Sequence, residues 1–293
     1  QLVKELEPGL NALFGLEYKQ YGEQWTDIFD TESSDRAFEE EVMLAGFANA
    51  AVKAEGQGVQ FDQAQETFTA RYTNETIALA FAITEEAIED NLYDRLASRY
   101  TKALARSMAN TKQVKAAAVL NNGFNANFAG GDGVALFATN HPTIAGTFSN
   151  ELAVASDLNE TSLEQALIDI AAMTDERGLK IASRGMKLII PSALQFTADR
   201  LMKSEGRTGT ADNDINAVKN MGMIPEGYTV NHFLTSNKKW FIKTDVPNGL
   251  KHFVRSPIKT SMEGDFDTGN VRYKARERYV FGFSDPRGIF GSD

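Results

Sequence analysis

Three histidines are the residues of this sequence best suited to hold a metal ion or to move a proton. His141 precedes Pro142 in a loop-rich stretch, whereas His232 and His252 lie in strand-like stretches. None of the three has a second histidine or a carboxylate at the spacing of zinc ligands on a helix. The chain also contains no cysteine, which excludes disulfides, thiolate nucleophiles and cysteine-based zinc sites. We therefore predict neither a metal site nor a cofactor.

Two glycine-containing stretches and one run of acids are the remaining candidates for chemistry. Residues 130–133 (GGDG) lack the lysine and hydroxyl residue that end a phosphate-binding loop, so a turn is favoured. Residues 206–209 (GRTG) are the weaker alternative for a phosphate contact, and a solvated loop is their default interpretation. The glutamates at residues 39–41 suit a charged edge strand better than a paired acid and base. We predict no catalytic residue and no enzyme.

The balance of charge is acidic, with a formal net charge of −10. A protein that wraps nucleic acid needs clustered basic residues to neutralise phosphates, so this balance argues against such a function. The densest basic stretch alternates with other residues, at Arg272, Lys274, Arg276 and Arg278. Alternation favours a strand with one face in solvent, and a face that contacts DNA is the alternative. No stretch is as long and apolar as the roughly 20 residues of a membrane span.

The first quarter of the chain predicts parts that have no core of their own. Residues 1–36 carry aromatic side chains at irregular spacing and end in a polar run, which predicts an arm that packs on its own domain or on a partner. In residues 37–83 the apolar positions alternate, with a change of phase at Asn74 and a glycine-bearing tip at residues 55–58. This pattern predicts a long β-hairpin, which is marginally stable alone. A neighbour should therefore cover it.

A long helix is predicted to follow the hairpin. Thr84 is a typical N-cap, and acidic residues occupy the first turn, where the helix dipole favours them. Apolar residues then recur at a spacing of four, from Ile88 through Leu92 to Met108, as on one helical stripe. The stop signal is the Asn-Asn-Gly sequence at residues 121–123. At a rise of ~1.5 Å per residue this helix would be about 55 Å long, which suggests a spine.

The rest of the chain predicts an α/β unit followed by a return of long strands. Helices are predicted at residues 163–177 and 192–203, strands at 187–190, 228–233, 239–244, 249–262 and 271–283, and a polar, mobile stretch at 206–213.

The order of these parts resembles the Hong Kong 97-type fold of the major capsid proteins of tailed bacteriophages (Caudoviricetes). Local stretches are similar to the Mu-like phage head proteins, namely residues 136–142 (LFATNHP), 188–194 (LIIPSAL), 240–242 (WFI) and 285–288 (DPRG). The resemblance implies an α+β capsid fold with an N-terminal arm, an extended β-hairpin loop, a long spine helix, a peripheral domain and an axial domain.

The resemblance also implies a division of the chain. The arm would span residues 1–36, the extended loop 37–83, the peripheral domain with its spine helix 84–157, and the axial domain 158–247. Residues 248–293 would be strands that return to the peripheral domain and end near the axial domain. Because the sequence starts with Gln1 and not Met, we expect that a leading segment is removed during maturation.

The function implied is that of a major capsid protein. Its copies would form hexamers and pentamers that close an icosahedral shell around double-stranded DNA. The implied partners are further copies, a portal, decoration proteins and DNA bound without sequence specificity, and assembly would occur in the host cytoplasm. The alternatives are an encapsulin-like nanocompartment shell, which shares the fold, and a soluble α/β enzyme, since fold alone does not decide function.

Six apolar residues of the arm and the hairpin are predicted to contact a neighbouring subunit. They share a large apolar side chain in a part of the chain that lacks a core of its own, and they are Trp25, Phe29, Val59, Phe61, Phe68 and Tyr72.

Overall fold

The computed structural model describes residues 2–90, 93–207, 209–211 and 214–293. The helices are α1 (Leu2–Gln20), α2 (Glu85–Glu89), α3 (Tyr93–Asn121), α4 (Glu160–Ala172), α5 (Gln195–Lys203) and α6 (Ala217–Met221). The strands are β1 (Asp30–Ser33), β2 (Phe38–Ala45), β3 (Gln65–Thr73), β4 (Glu75–Ile83), β5 (His141–Thr143), β6 (Gly146–Phe148), β7 (Gly185–Ile190), β8 (Tyr228–Val230), β9 (Trp240–Thr244), β10 (Leu250–Gly264), β11 (Val271–Phe283) and β12 (Ile289–Ser292). Among the helices of the described residues, none is long and apolar enough to cross a bilayer.

One sheet has the strand order β1-β10-β11-β4 and is covered on one face by α1 and α3. Strand β11 shows why the cover is on that face: Tyr273, Ala275 and Tyr279 are buried, whereas the basic residues between them point away. Period-two alternation places successive side chains on opposite faces of a sheet. The predicted strand at residues 271–283 is therefore confirmed, and Arg272, Lys274 and Arg276 are exposed as predicted, whereas Arg278 is half-buried.

The N-terminal segment packs on its own chain. Leu10 and Phe14 of α1 lie in the core between α3 and the first sheet. Farther along, Trp25 and Phe29 lie in a second core, and β1 pairs in parallel with β10. Of the two arrangements predicted for residues 1–36, packing on its own domain is the one found. Irregular spacing in the sequence reflects a segment that crosses two separate cores.

The hairpin is shorter than predicted. Strands β2 and β3 form an antiparallel ribbon, whereas β4 leaves the ribbon and pairs with β11 in the first sheet. The side chain of Asn74, which is buried where the chain passes from β3 to β4, donates hydrogen bonds to Ser34 and to the carbonyl of Arg36. The change of phase at Asn74 thus marks the end of the ribbon.

The predicted spine is two helices and not one. The Thr84 hydroxyl accepts a hydrogen bond from the Ala87 amide, as expected of an N-cap, but helix α2 ends at Glu89. Helix α3 then runs for 29 residues, which makes it about 43 Å long. Of the predicted apolar stripe, Met108 is buried, and Leu92 lies outside the described residues.

The second sheet has the order β12-β9-β7-β8 and carries the largest core. Helix α4 begins with a capping box between Asn159 and Ser162, which satisfies backbone donors at its first turn. It ends at Ala172 and not at residue 177, because a turn follows, in which Gly178 has a φ of +79°. Of the polar stretch at 206–213, residues 208, 212 and 213 lie outside the described part of the chain.

Candidate assembly surface

His141 belongs to a buried hydrogen-bond network. Its Nδ1 lies 2.6 Å from Asp132 Oδ2, and its Nε2 lies 3.0 Å from Asn150 Oδ1. The Asn150 amide donates to the carbonyls of Leu136 and Pro286, so the network ties the loops before α4 to the C-terminal end. The described residues contain no group of three or more potential ligands that could hold a metal ion.

The glycine-rich stretch at residues 130–133 forms a turn, as predicted. The amide of Gly133 donates to the carbonyl of Gly130, and Gly133 has a φ of +80°. A Cβ on Gly131 would lie 2.4 Å from the Thr69 carbonyl oxygen, so glycine lets this turn lie directly against β3. In the second candidate loop, at residues 206–209, Arg207 forms an ion pair with Glu160, with 2.9 Å between Arg207 Nε and Glu160 Oε2.

The acids at residues 39–41 serve to hold the ribbon. Glu41 faces inward and pairs with Lys251 of β10, which also donates to Glu32 of β1 at 2.9 Å. Tyr72 of β3 shares a hydrogen bond with Ser284 just after β11. Burial and the nearby carboxylates Glu41 and Glu32 raise the pKa of the Tyr72 hydroxyl above its usual range. These contacts fix the base of the ribbon to the first sheet.

His252 has a pKa lowered to about 3 by burial and by the nearby charge of Lys112. It stacks on Phe281, with 4.3 Å between the ring centroids. The unfolded chain, with a pKa of 6.5, binds the proton first as the pH falls, so the free energy of unfolding should drop by up to about 1.4 kcal/mol per pH unit between pH 6.5 and about 3. Urea denaturation of wild type and His252→Phe across this range measures the effect. The variant should show a shallower pH dependence, and equal slopes would contradict the prediction.

The ribbon carries an exposed loop at residues 46–64, which we call the hairpin loop. The Arg177 guanidinium closes its base, donating to the carbonyls of Gly46 at 3.1 Å and Gln63 at 2.9 Å. Within it Val52 and Phe61 are 100% and 97% exposed. Loops of this length without secondary structure are uncommon in compact domains and usually functional.

Six of the exposed large apolar side chains lie in or beside the hairpin loop, while others are distributed over the rest of the surface. The six are Val42, Leu44, Phe47, Val52, Val59 and Phe61. Scattered single apolar residues on a surface are ordinary, but a contiguous group of large ones marks an interaction site. The hairpin loop is therefore the candidate surface for a covering partner.

The six residues predicted to contact a neighbour fall into two groups. Trp25, Phe29 and Tyr72 are each no more than 5% exposed because the chain's own cores cover them, which leaves little of their surface for a neighbour. Phe68 is half-buried and lines a cleft between the ribbon and the C-terminal end. Val59 and Phe61 remain available to a neighbour, as do Phe47 and Val52, which have no periodic spacing to signal them.

The comparison with known families decides the identity. Residues 66–291 match the family described as phage capsid protein, which is well over half of the chain. The chain belongs to the phage capsid protein family. This capsid protein is therefore a structural, shell-forming component of the virion that works as many copies. The family match does not favour the encapsulin-like alternative. No curated protein sequence matches.

Solved structures of low identity share the fold of the capsid protein. A virus-like particle from Pyrococcus furiosus is 11% identical, with a TM-score of 0.56 over 97% of this chain and 98% of the other. The structure from Mycobacterium phage Che8 is 13% identical, with a TM-score of 0.55 over 91% of this chain and 89% of the other. The procapsid of bacteriophage JBD30 is 17% identical, with a TM-score of 0.53 over 99% of this chain and 74% of the other. The predicted α+β Hong Kong 97-type fold is thus confirmed.

Proposed function

We propose that this capsid protein is the major head subunit of a tailed phage, and that its copies form hexamers and pentamers in a closed icosahedral shell around double-stranded DNA. The observation that carries the proposal is the hairpin loop, which is apolar, exposed and closed at its base by Arg177. A surface of this kind needs cover, and in a shell of identical subunits another copy provides it.

The contact is head-to-tail in type. The hairpin loop of one subunit would lie on a different surface of the next subunit, which makes the interface heterologous, and heterologous contacts close into rings when the rotation permits. The exposure of Val59 and Phe61 supports a part for both side chains in this contact. A portal, decoration proteins and assembly in the host cytoplasm complete the proposed setting.

Sedimentation and electron microscopy of purified subunits test this proposal. Under conditions that favour assembly we expect closed particles made of cyclic capsomers. A protein that sediments only as monomers or dimers under every assembly condition would overturn the proposal, because the exposed loop would then have some other partner.

A further inference from the structure

The exposed face of α3 carries a row of cations. Arg95, Arg99, Lys102 and Arg106 are all exposed. At 100° per residue their positions fall within a sector of about 60° on the helix, and they extend over about 17 Å. The buried residues of the same helix, such as Leu104 and Met108, lie on the opposite side. We call these four residues the α3 basic row.

None of the four residues of the α3 basic row forms an ion pair within the described part of the chain. The sequence has no aspartate or glutamate from residue 95 to residue 121. The ion pairs that α3 makes within the described residues belong to its C-terminal half, where Lys112 pairs with Glu277 and Lys115 with Glu75. Four cations in a row that form no ion pair with the described residues, on a protein of net charge −10, indicate a locally basic surface.

The basic residues of β11 form a weaker candidate. Arg272 pairs with Asp265, and Glu263 stands opposite Arg272 in the ladder. One end of that row is therefore neutralised by acids, whereas Lys274 and Arg276 farther along the strand have no acid opposite them in the ladder with β10. The α3 basic row forms no such ion pair at either end among the described residues, and it is the surface that we consider for a polyanion.

We propose that the α3 basic row contacts the phosphate backbone of duplex DNA, an inference that rests on the proposed head-subunit function. Phosphates of one strand follow each other every 3.4 Å along the duplex axis, so the row spans about five of them. Contacts of this kind position DNA without reading its sequence. Four phosphate contacts are weak in a single subunit, and repetition over a shell multiplies them.

Binding of a labelled duplex to free subunits, measured over a series of salt concentrations from low to physiological, tests the proposal. For wild type we expect weak binding, with a slope of log affinity against log salt of about −3.6 for four phosphates. The triple variant Arg99→Gln/Lys102→Gln/Arg106→Gln should bring the slope to about −0.9. The matched control is Lys259→Gln/Lys274→Gln/Arg276→Gln, which removes equal charge from the exposed face of the first sheet and should keep the wild-type slope.

Each outcome decides the matter. A slope that falls in the α3 variant alone supports the proposal. Equal slopes in both variants, or no binding by wild type at low salt, overturn it. An α3 variant that is folded but no longer assembles also overturns it, because the row would then contact another subunit. Shell formation by wild type is scored separately by microscopy, so failure of the head-subunit function is distinguished from failure of DNA contact.

Discussion

Replacing Phe61 with aspartate is expected to abolish shell formation while the subunit stays folded. Phe61 is 97% exposed in the isolated chain, so the substitution removes no buried apolar contact from the folded subunit. At an interface, a buried phenylalanine contributes about 1.5–3 kcal/mol, and a charge left there without a partner adds a desolvation penalty. The loss recurs in every subunit of the shell. Circular dichroism with thermal melting, beside electron microscopy, measures folding and assembly independently.

The conservative variant Phe61→Leu is the control for this experiment. It keeps an apolar side chain at the same position and should still assemble. If the leucine and aspartate variants behave alike, Phe61 does not lie at a contact between subunits. Phe68 is a poorer choice for this test because it is half-buried against its own chain.

Replacing Leu167 with aspartate is expected to prevent the subunit from folding. Leu167 is 5% exposed in the largest core, and its Cδ2 would lie 2.8 Å from a Cβ placed on Gly185 of β7. An unpaired carboxylate in such a site costs more than the roughly 2–5 kcal/mol lost on truncation of a buried leucine to alanine. Since whole domains are stable by only about 5–15 kcal/mol, no cooperative melting transition should remain.

The neighbouring residue supplies a matched control. Ile168 lies on the same helix but is 61% exposed, so Ile168→Asp should change the free energy of unfolding by only about 0.5 kcal/mol. Urea denaturation of both variants makes the comparison. If Ile168→Asp destabilises the protein as much as Leu167→Asp does, the assignment of the core face of α4 is wrong.

Several elements could be predicted because their cause is local. The alternation of apolar and basic residues predicted strand β11 and the face on which its basic residues lie, since a strand places successive side chains on opposite faces. Thr84 marked a helix start because a cap satisfies backbone donors within one turn. The turn at residues 130–133 followed from its glycines and from the absent lysine of a phosphate loop. The capsid fold came from the order of such parts, which the family match confirms.

Other features depended on contacts between distant residues, which no local pattern encodes. The aromatic residues of the N-terminal segment looked uncovered, yet Trp25 meets His252 with 4.5 Å between ring centroids, more than two hundred residues away. Strand β4 continued the hairpin pattern but found its partner in β11. The net charge argued against a nucleic-acid contact, while helix formation gathers four cations on one face of α3. The sequence determined the hydrophobic periodicities and the helix caps. The tertiary structure decided which apolar faces are covered and where charge accumulates, because side-chain burial and the local electrostatic potential depend on which residues pack nearby.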